Sequence, residues 1–329
     1  VHPRTIIAQT LRSSARVLIV CHEGPDGDCL GAALALRLAL QRLGITAVVA
    51  SPDGVPPPLR FLPGADEVVR TVGEDDRADV AVTMECSSLD RTGPLEEAVR
   101  RAHTIVAIDH HADLEAYAHL TDWNCHAAAV AEQVADLIDR LGVPVDRAMA
   151  VCLLTALVTD TGVFRYANVT ARALRLAADL TERGAAVHEI VRAVYEEQPL
   201  SSLRLQARAL ERLSLHAGGS IIYTVITSDM LATSGATPEA TSGIAALLRT
   251  VAGVRVAMTF EESGDCVRVS IRSRDGARAD RIARALGGGG HAAAAGADVR
   301  RSLEETIRMA LEAAESEIEV GRGGVGAKG

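Results

Sequence analysis

The chain has 329 residues, enough for about two domains of the usual ~100–200 residues each. Hydrophobic residues make up 48% but aromatics only 2%, so the cores must be built from Ala, Leu, Val and Ile, and a base-stacking track for a long single strand is poorly supplied. A formal net charge of -9 opposes a long polyanion and excludes long duplex nucleic acid as a partner, although a local cluster of cations can still hold a small anion.

In chain order, RVLIVC at 16–21 predicts a buried strand, 29–43 a helix that is apolar nearly all round, and 47–50 a short second strand. DVAVTM at 79–84 and TIVAI at 104–108 predict two more buried strands, and helices follow at about 126–141 and 145–159. Apolar strand runs separated by helices are the pattern of a mostly parallel sheet covered on both faces. Residues 172–183 and 187–196 read as helices, and Pro199 opens a linker into another. From 220 the pattern changes: SIIYTVI (220–226), VRVAMTF (254–260) and CVRVSIR (266–272) are strands, with helices at 244–251 and 280–286. A helix at 303–318 precedes the tail GRGGVGAKG, which has nothing to bury and is expected to be disordered. The fold class is α/β: a first domain over 1–185, a helical linker over 186–210, a smaller α/β domain over 211–318 and the tail over 319–329. The six cysteines form no Cys-x-x-Cys pair, which fits a reducing cytoplasm rather than a disulfide framework or a zinc ribbon. There is no run of ~18 apolar residues for a membrane span, and the first twenty residues lack a signal-peptide cleavage pattern.

The polar residues that carry chemistry gather at strand ends, where open α/β sheets bind ligands. After 16–21 comes His22-Glu23-Gly24-Pro25-Asp26-Gly27-Asp28, one imidazole and two carboxylates in a loop whose glycines and proline allow a tight turn. Nitrogen and oxygen donors suit Mn or Mg better than Zn. Alone, the loop reads as well as an Asx-rich turn with an N-cap Asp. Glu85 follows the strand 79–84, and Asp109-His110-His111 follows 104–108. Each in isolation is an ordinary polar turn. Asp160, in Asp-Thr-Gly, closes an apolar helix where the dipole disfavours an anion and a bound cation would offset it. Late in the chain, Gly287-Gly288-Gly289-Gly290-His291 offers backbone N–H groups for an anion nest and an imidazole donor.

Taken together and in this order, His-x-x-x-Asp-x-Asp, an acidic strand end, Asp-His-His, Asp-Thr-Gly and Gly-Gly-Gly-His resemble the DHH/DHHA1 phosphoesterases over about residues 11–296. Length and the lack of added domains look most like the branch of nano-RNases, pAp phosphatases and cyclic-di-AMP phosphodiesterases. The resemblance implies two divalent ions, Mn first and Mg as the alternative. His22 and Asp26 would hold one ion; Asp28, His110 and Asp160 the other; Glu85 would bridge. His111 would touch the scissile phosphate or the leaving group, and Asp109 would orient a neighbouring His. Arg272, Gly288, Gly289, Gly290 and His291 would grip the substrate, with the active site in a cleft between the domains. The implied substrate is a small nucleotide or very short RNA, cut to mononucleotides, with pAp, linear dinucleotides and cyclic di-AMP unranked and a homodimer left open. The family usually has Asp where this chain has Glu85, which puts metal spacing and occupancy in question. A single-strand exonuclease of longer strands and a non-catalytic nucleotide sensor are the competing readings.

Overall fold

The computed structural model describes residues 3–111, 114–241 and 243–323, and the chain divides into two units, Val1–Glu197 and Gln198–Gly329. In the first, the apolar runs become strands because only a ladder buried on both faces satisfies their backbone while hiding their side chains. Helix α1 (Pro3–Arg12) leads to β1 (Arg16–Cys21), α2 (Gly27–Arg42), β2 (Thr46–Ala50), β3 (Val80–Met84), α3 (Glu96–Arg100), β4 (Thr104–Asp109) and β5 (Leu120–Trp123). The five strands are all parallel, in the order β2-β1-β3-β4-β5. Four helices follow: α4 (Ala131–Arg140), α5 (Arg147–Asp160), α6 (Ala171–Glu182) and α7 (Val187–Val191). Val17, Ile19, Val82, Val106 and Ile108 pack with α1, α2, α4 and α5, while Leu18, Val20, Ala81 and Ile105 pack on the opposite face with Leu95 and Val99. Helices α2 and α5 approach so closely that a Cβ on Gly31 would lie 2.4 Å from the Cys152 carbonyl oxygen. Parallel strands bring the ends of β1, β3 and β4 to one edge, and His22, Glu85 and Asp109 follow or end those strands.

The first unit departs from the expected elements in several places. Helices α1 and α3 and strand β5 are not among the elements the sequence predicts. LTDW lacks an apolar run, and it is held as a strand by its ladder with β4. Helix α4 starts at Ala131 rather than near 126, because the amides of Val130 and Ala131 are bound by the distant Asp28 carboxylate.

The second unit runs α8 (Leu200–Glu211), β6 (Ser214–His216), β7 (Ile221–Ile226), α9 (Ser228–Ser234), α10 (Ile244–Leu248), β8 (Val256–Ser263), β9 (Cys266–Ser273), α11 (Ala279–Ala285), β10 (Gly289–Gly290), β11 (Ala294–Val299) and α12 (Leu303–Gly323). Its sheet order is β10-β11-β9-β8-β7-β6, antiparallel except for the β7–β8 pair. Phe260, Ile271, Ile282, Ala310 and Ala314 fill one core, and Leu205, Ile222, Met230 and Leu248 another. AAGADV, without β-branched residues until its end, forms β11 by pairing along β9. The last helix continues to Gly323, past the 318 expected from the sequence, and residues 324–329 of the expected tail lie outside the described residues. Among the described residues, no helix is long and apolar enough to cross a membrane.

Candidate metal centre

His22 is buried immediately after β1, and its Nδ1 lies 2.7 Å from the Glu23 carbonyl oxygen. A carbonyl only accepts, so Nδ1 carries the proton and Nε2 keeps the lone pair. Asp26 is the N-cap of α2: its Oδ1 accepts the Asp28 and Cys29 amides at 3.0 Å each. Capping and proximity to the other acids coexist, since the charge of Asp26 also pushes up Asp28, Glu85 and Asp160. Asp28 is fully buried. Its Oδ2 accepts the Val130 N–H at 2.6 Å and its Oδ1 the Ala131 N–H at 3.1 Å. Those amides belong to the positive end of α4 and favour the carboxylate. Burial first, and then Asp160, nonetheless raise Asp28 to about 8.

Glu85 stands at the end of β3 with φ 55, a left-handed conformation that costs an L-residue roughly 1–2 kcal/mol. Its N–H still donates to the Ile108 carbonyl at 3.0 Å. The side chain turns into the interior, where Oε1 is 3.2 Å from His110 Nε2 and Oε2 has no hydrogen-bond partner among the described residues. Burial, and then Asp28, Asp26 and Asp160, push its carboxyl well above the usual range. Strained backbone concentrates at functional sites, and here the strain delivers a carboxylate to three others.

His110 fixes the centre of this group. Its Nδ1–H donates to the Ala127 carbonyl at 3.1 Å, which aims Nε2 at Glu85 Oε1 (3.2 Å), Asp160 Oδ2 (3.7 Å) and Asp28 Oδ2 (4.0 Å). Burial lowers the His110 pKa, but Asp160 and Asp28 outweigh it and the net shift is upward. Asp160 ends α5. Burial raises it to about 6 against the lowering charge of His110, and the Asn168 amide reaches both its carbonyl (3.1 Å) and its Oδ2 (3.4 Å). The chain leaves Asp160 through Gly162, Val163 and Phe164, all left-handed with φ of 55, 60 and 57.

Asp109 and His111 form a separate unit of chemistry beside this cluster. Asp109 Oδ1 accepts both the N–H and the Nδ1–H of His111, each at 2.7 Å. Burial pushes Asp109 up, yet the hydrogen bonds and charge of His111 hold it below the ordinary carboxylate range. An ionised Asp109 thus sets the tautomer and tilt of His111.

Two groups of donor atoms, Asp28/His110/Asp160 and His22/Cys29/Glu85, each lie within 4.8 Å of one another. The 3.2 Å Glu85–His110 contact joins them. Three buried carboxylates with raised pKa values, and a buried Glu85 oxygen lacking any donor, are costly unless protons or cations meet them. Hard oxygen and imidazole donors suit a divalent ion of the Mn or Mg type, so the residues present fit the metals the resemblance implies. Cys29 was not singled out from the sequence, although it directly follows Asp28. Burial holds its thiol pKa well above normal and it donates to the Met84 carbonyl at 3.3 Å, so it packs here as a thiol rather than a thiolate.

In the second unit the glycine run begins as the end of a helix. Gly287, with φ +84, donates to the Arg284 carbonyl at 3.0 Å and Gly288 to the Ala283 carbonyl at 2.9 Å, the pair of bonds of a Schellman motif. Two of the four amides expected in an anion nest are therefore committed to closing α11. A Cβ on Gly288 would lie 2.1 Å from the Gly296 carbonyl oxygen, so small size is needed there for packing against β11. Gly289 and Gly290 form β10, and the His291 N–H donates to the Ala294 carbonyl at 2.8 Å. Arg272 lies on β9, paired with Ala294, and its guanidinium donates to the Ile271 carbonyl at 2.9 Å.

Residues 16–157 match the family model described as DHH family, N-terminal domain, and residues 218–320 match the DHHA1 domain. The chain is 35% identical over 318 residues to a Thermus thermophilus protein named bifunctional oligoribonuclease and PAP phosphatase NrnA, covering 95% of this chain and 94% of that one. It is 25% identical over 309 residues to the Bacillus subtilis protein of the same name, covering 93% and 96%. Among solved structures, an exopolyphosphatase-related protein from Bacteroides fragilis is similar with a TM-score of 0.89 at 22% identity, covering 97% of each chain. RecJ of Thermus thermophilus, solved with manganese, has a TM-score of 0.54 at 16% identity, covering 95% of this chain and 54% of RecJ.

Proposed function

The chain belongs to the DHH/DHHA1 family of phosphoesterases, and from that premise we propose that it hydrolyses phosphate esters in very small nucleotides with two divalent ions, Mn ahead of Mg. The observation that carries this reading is the buried Glu85–His110 contact, with Asp28 and Asp160 also facing His110 Nε2 and one Glu85 oxygen left without a donor among the described residues. Names given to the relatives, oligoribonuclease and PAP phosphatase, support linear dinucleotides, short oligoribonucleotides and pAp as substrates, with cyclic di-AMP a further candidate.

His22 and Asp26 would hold one ion, Asp28, His110 and Asp160 the other, and Glu85 would serve both. When bound, two such ions supply an activated water and charge stabilisation on both oxygens of an in-line displacement. The water oxygen bonds to phosphorus as the bond from phosphorus to the leaving oxygen breaks. His111, held by Asp109 through Nδ1, would turn Nε2 to the phosphate or the leaving group; as the imidazolium it would give the Nε2 proton to the leaving oxygen and be reprotonated by the proton that the attacking water loses. Arg272 and His291, with the turn Gly288–Gly290, would grip the remaining phosphate or nucleoside. A grip on the far end of the substrate would favour short substrates over long strands.

The test is a product assay on pAp, a linear dinucleotide, cyclic di-AMP and a long oligoribonucleotide, with Mn and with chelator. Metal-dependent release of mononucleotides from the small substrates is expected. Processive digestion of the long strand at an equal rate would replace this reading by the exonuclease, and binding without turnover by the sensor.

A further inference from the structure

Trp123 is the only tryptophan of the chain, and 49% of its surface is exposed. A large aromatic ring is normally mostly buried, so an exposed one in a chain this poor in aromatics calls for a reason. Its position supplies one. Trp123 ends β5 in register with Asp109, so the two side chains leave the sheet on the same side. The preceding Asp122 is buried and paired with Arg4, which fixes the opposite facing of Trp123. The indole Nε1–H donates to the His111 carbonyl at 2.6 Å. That bond ties one edge of the ring to the backbone of the residue assigned to the scissile phosphate. It sets the tilt of the ring before any ligand arrives, and preorganisation of this kind lowers the entropy lost on binding.

We propose that Trp123 is the stacking shelf for a nucleobase of the substrate, the base of the nucleotide whose phosphate meets His111. The shelf rests on the phosphoesterase reading for its orientation to His111. It adds a specificity residue that the metal-ligand motifs do not contain. A flat π-face accepts any base, and purines, with the larger face, stack better than pyrimidines. Stacking is made alike in ground and transition states, so its loss raises KM and leaves kcat near wild type.

Because Trp123 is the sole tryptophan, its fluorescence reports on this position alone. Protein loaded with Mg is titrated with AMP and with ribose 5-phosphate, which has the same phosphate and sugar but no base. Saturable quenching by AMP and none by ribose 5-phosphate is expected. In parallel, Trp123→Ala and Trp123→Phe are assayed on a linear dinucleotide. The Ala variant should raise KM by roughly 5–150-fold, and Phe should restore most of the loss. Equal fluorescence responses to the two ligands, or a fall in kcat at unchanged KM, would overturn the shelf, the latter by making Trp123 a positioning residue for His111. Hydrolysis by the wild type without AMP quenching sinks the shelf alone. Quenching by AMP without any hydrolysis supports the shelf and removes the phosphoesterase reading.

Discussion

On the proposed reading, the two units would recognise charge by opposite means. In the first, side chains do it: Asp28, Glu85, His110 and Asp160 are driven into a desolvated centre from four different elements, with carboxyl pKa values raised and one backbone conformation strained. In the second, Arg272 and His291 sit half-buried beside a glycine turn whose first amides already close a helix. A buried acid cluster stores electrostatic cost that a cation relieves, so its residues should be all-or-none for chemistry. A partly solvated grip contributes only binding, graded and replaceable. The proposed contrast is between a reaction centre and a handle, and each half can be attacked separately.

The largest effect should come from His110→Ala or Asp28→Ala, each lowering kcat by roughly 10³-fold or more, the upper range for losing one electrostatic stabiliser. Circular dichroism should show an intact fold for His110→Ala. Near-normal turnover with Mn present would break the comparison at its root. Glu85→Gln keeps shape but loses charge, and kcat should fall roughly 10²–10³-fold, whereas Glu85→Asp stays active. Since burial and the neighbouring acids push the Glu85 carboxyl well above its ordinary range and so favour its neutral form, the Gln variant should keep the metal-free thermal midpoint and lose the gain on adding Mn. A fully active Gln variant would show that Glu85 holds no metal.

On the other side of the contrast, His291→Ala should act mainly through KM. Losing a charge-assisted hydrogen bond costs ~1.5–3 kcal/mol, or about 10–150-fold in kcat/KM. Loss of kcat at constant KM would make His291 part of the reaction centre instead of the handle. The smallest effect concerns stability. Asp28 and Asp160 are raised to about 8 and about 6 from 3.8, and His110 is also raised. Between the unfolded and folded values the metal-free fold binds more protons than the unfolded chain, so its stability falls as pH rises from about 4 to about 8. The metal-free midpoint at pH 8 should lie at least ~3 °C below that at pH 5, which is what ~1 kcal/mol amounts to in a unit of this size. Mn should reverse the trend, because it binds the deprotonated cluster. A metal-free midpoint that climbs across this range would mean that the acids are not desolvated together.

The strands 16–21, 79–84 and 104–108 were legible in the sequence because a parallel strand buried on both faces must be apolar throughout, and that requirement leaves a continuous run. The polar residues just beyond those runs were legible for the same reason: a parallel sheet brings strand ends to one edge, so His22, Glu85 and Asp109-His110 had to be neighbours. Only the tertiary structure decided the rest. The start of α4 is set by Asp28, 102 residues earlier in the chain, and no local pattern can announce a cap supplied from another element. Strand β5 exists because β4 offers it a ladder, not because LTDW has any strand pattern of its own. The left-handed turn at Glu85 runs against the preference of an L-residue, and no local pattern announces it. Cys29 entered the donor cluster through the fold of α2 onto β3, whereas the Schellman closure that takes two glycine amides from the expected anion nest is local to the end of α11, and only the packing of Gly288 on β11 is a contact between segments. Apolar periodicity is a property of neighbours in sequence, whereas the partner of a buried polar group is a property of neighbours in space.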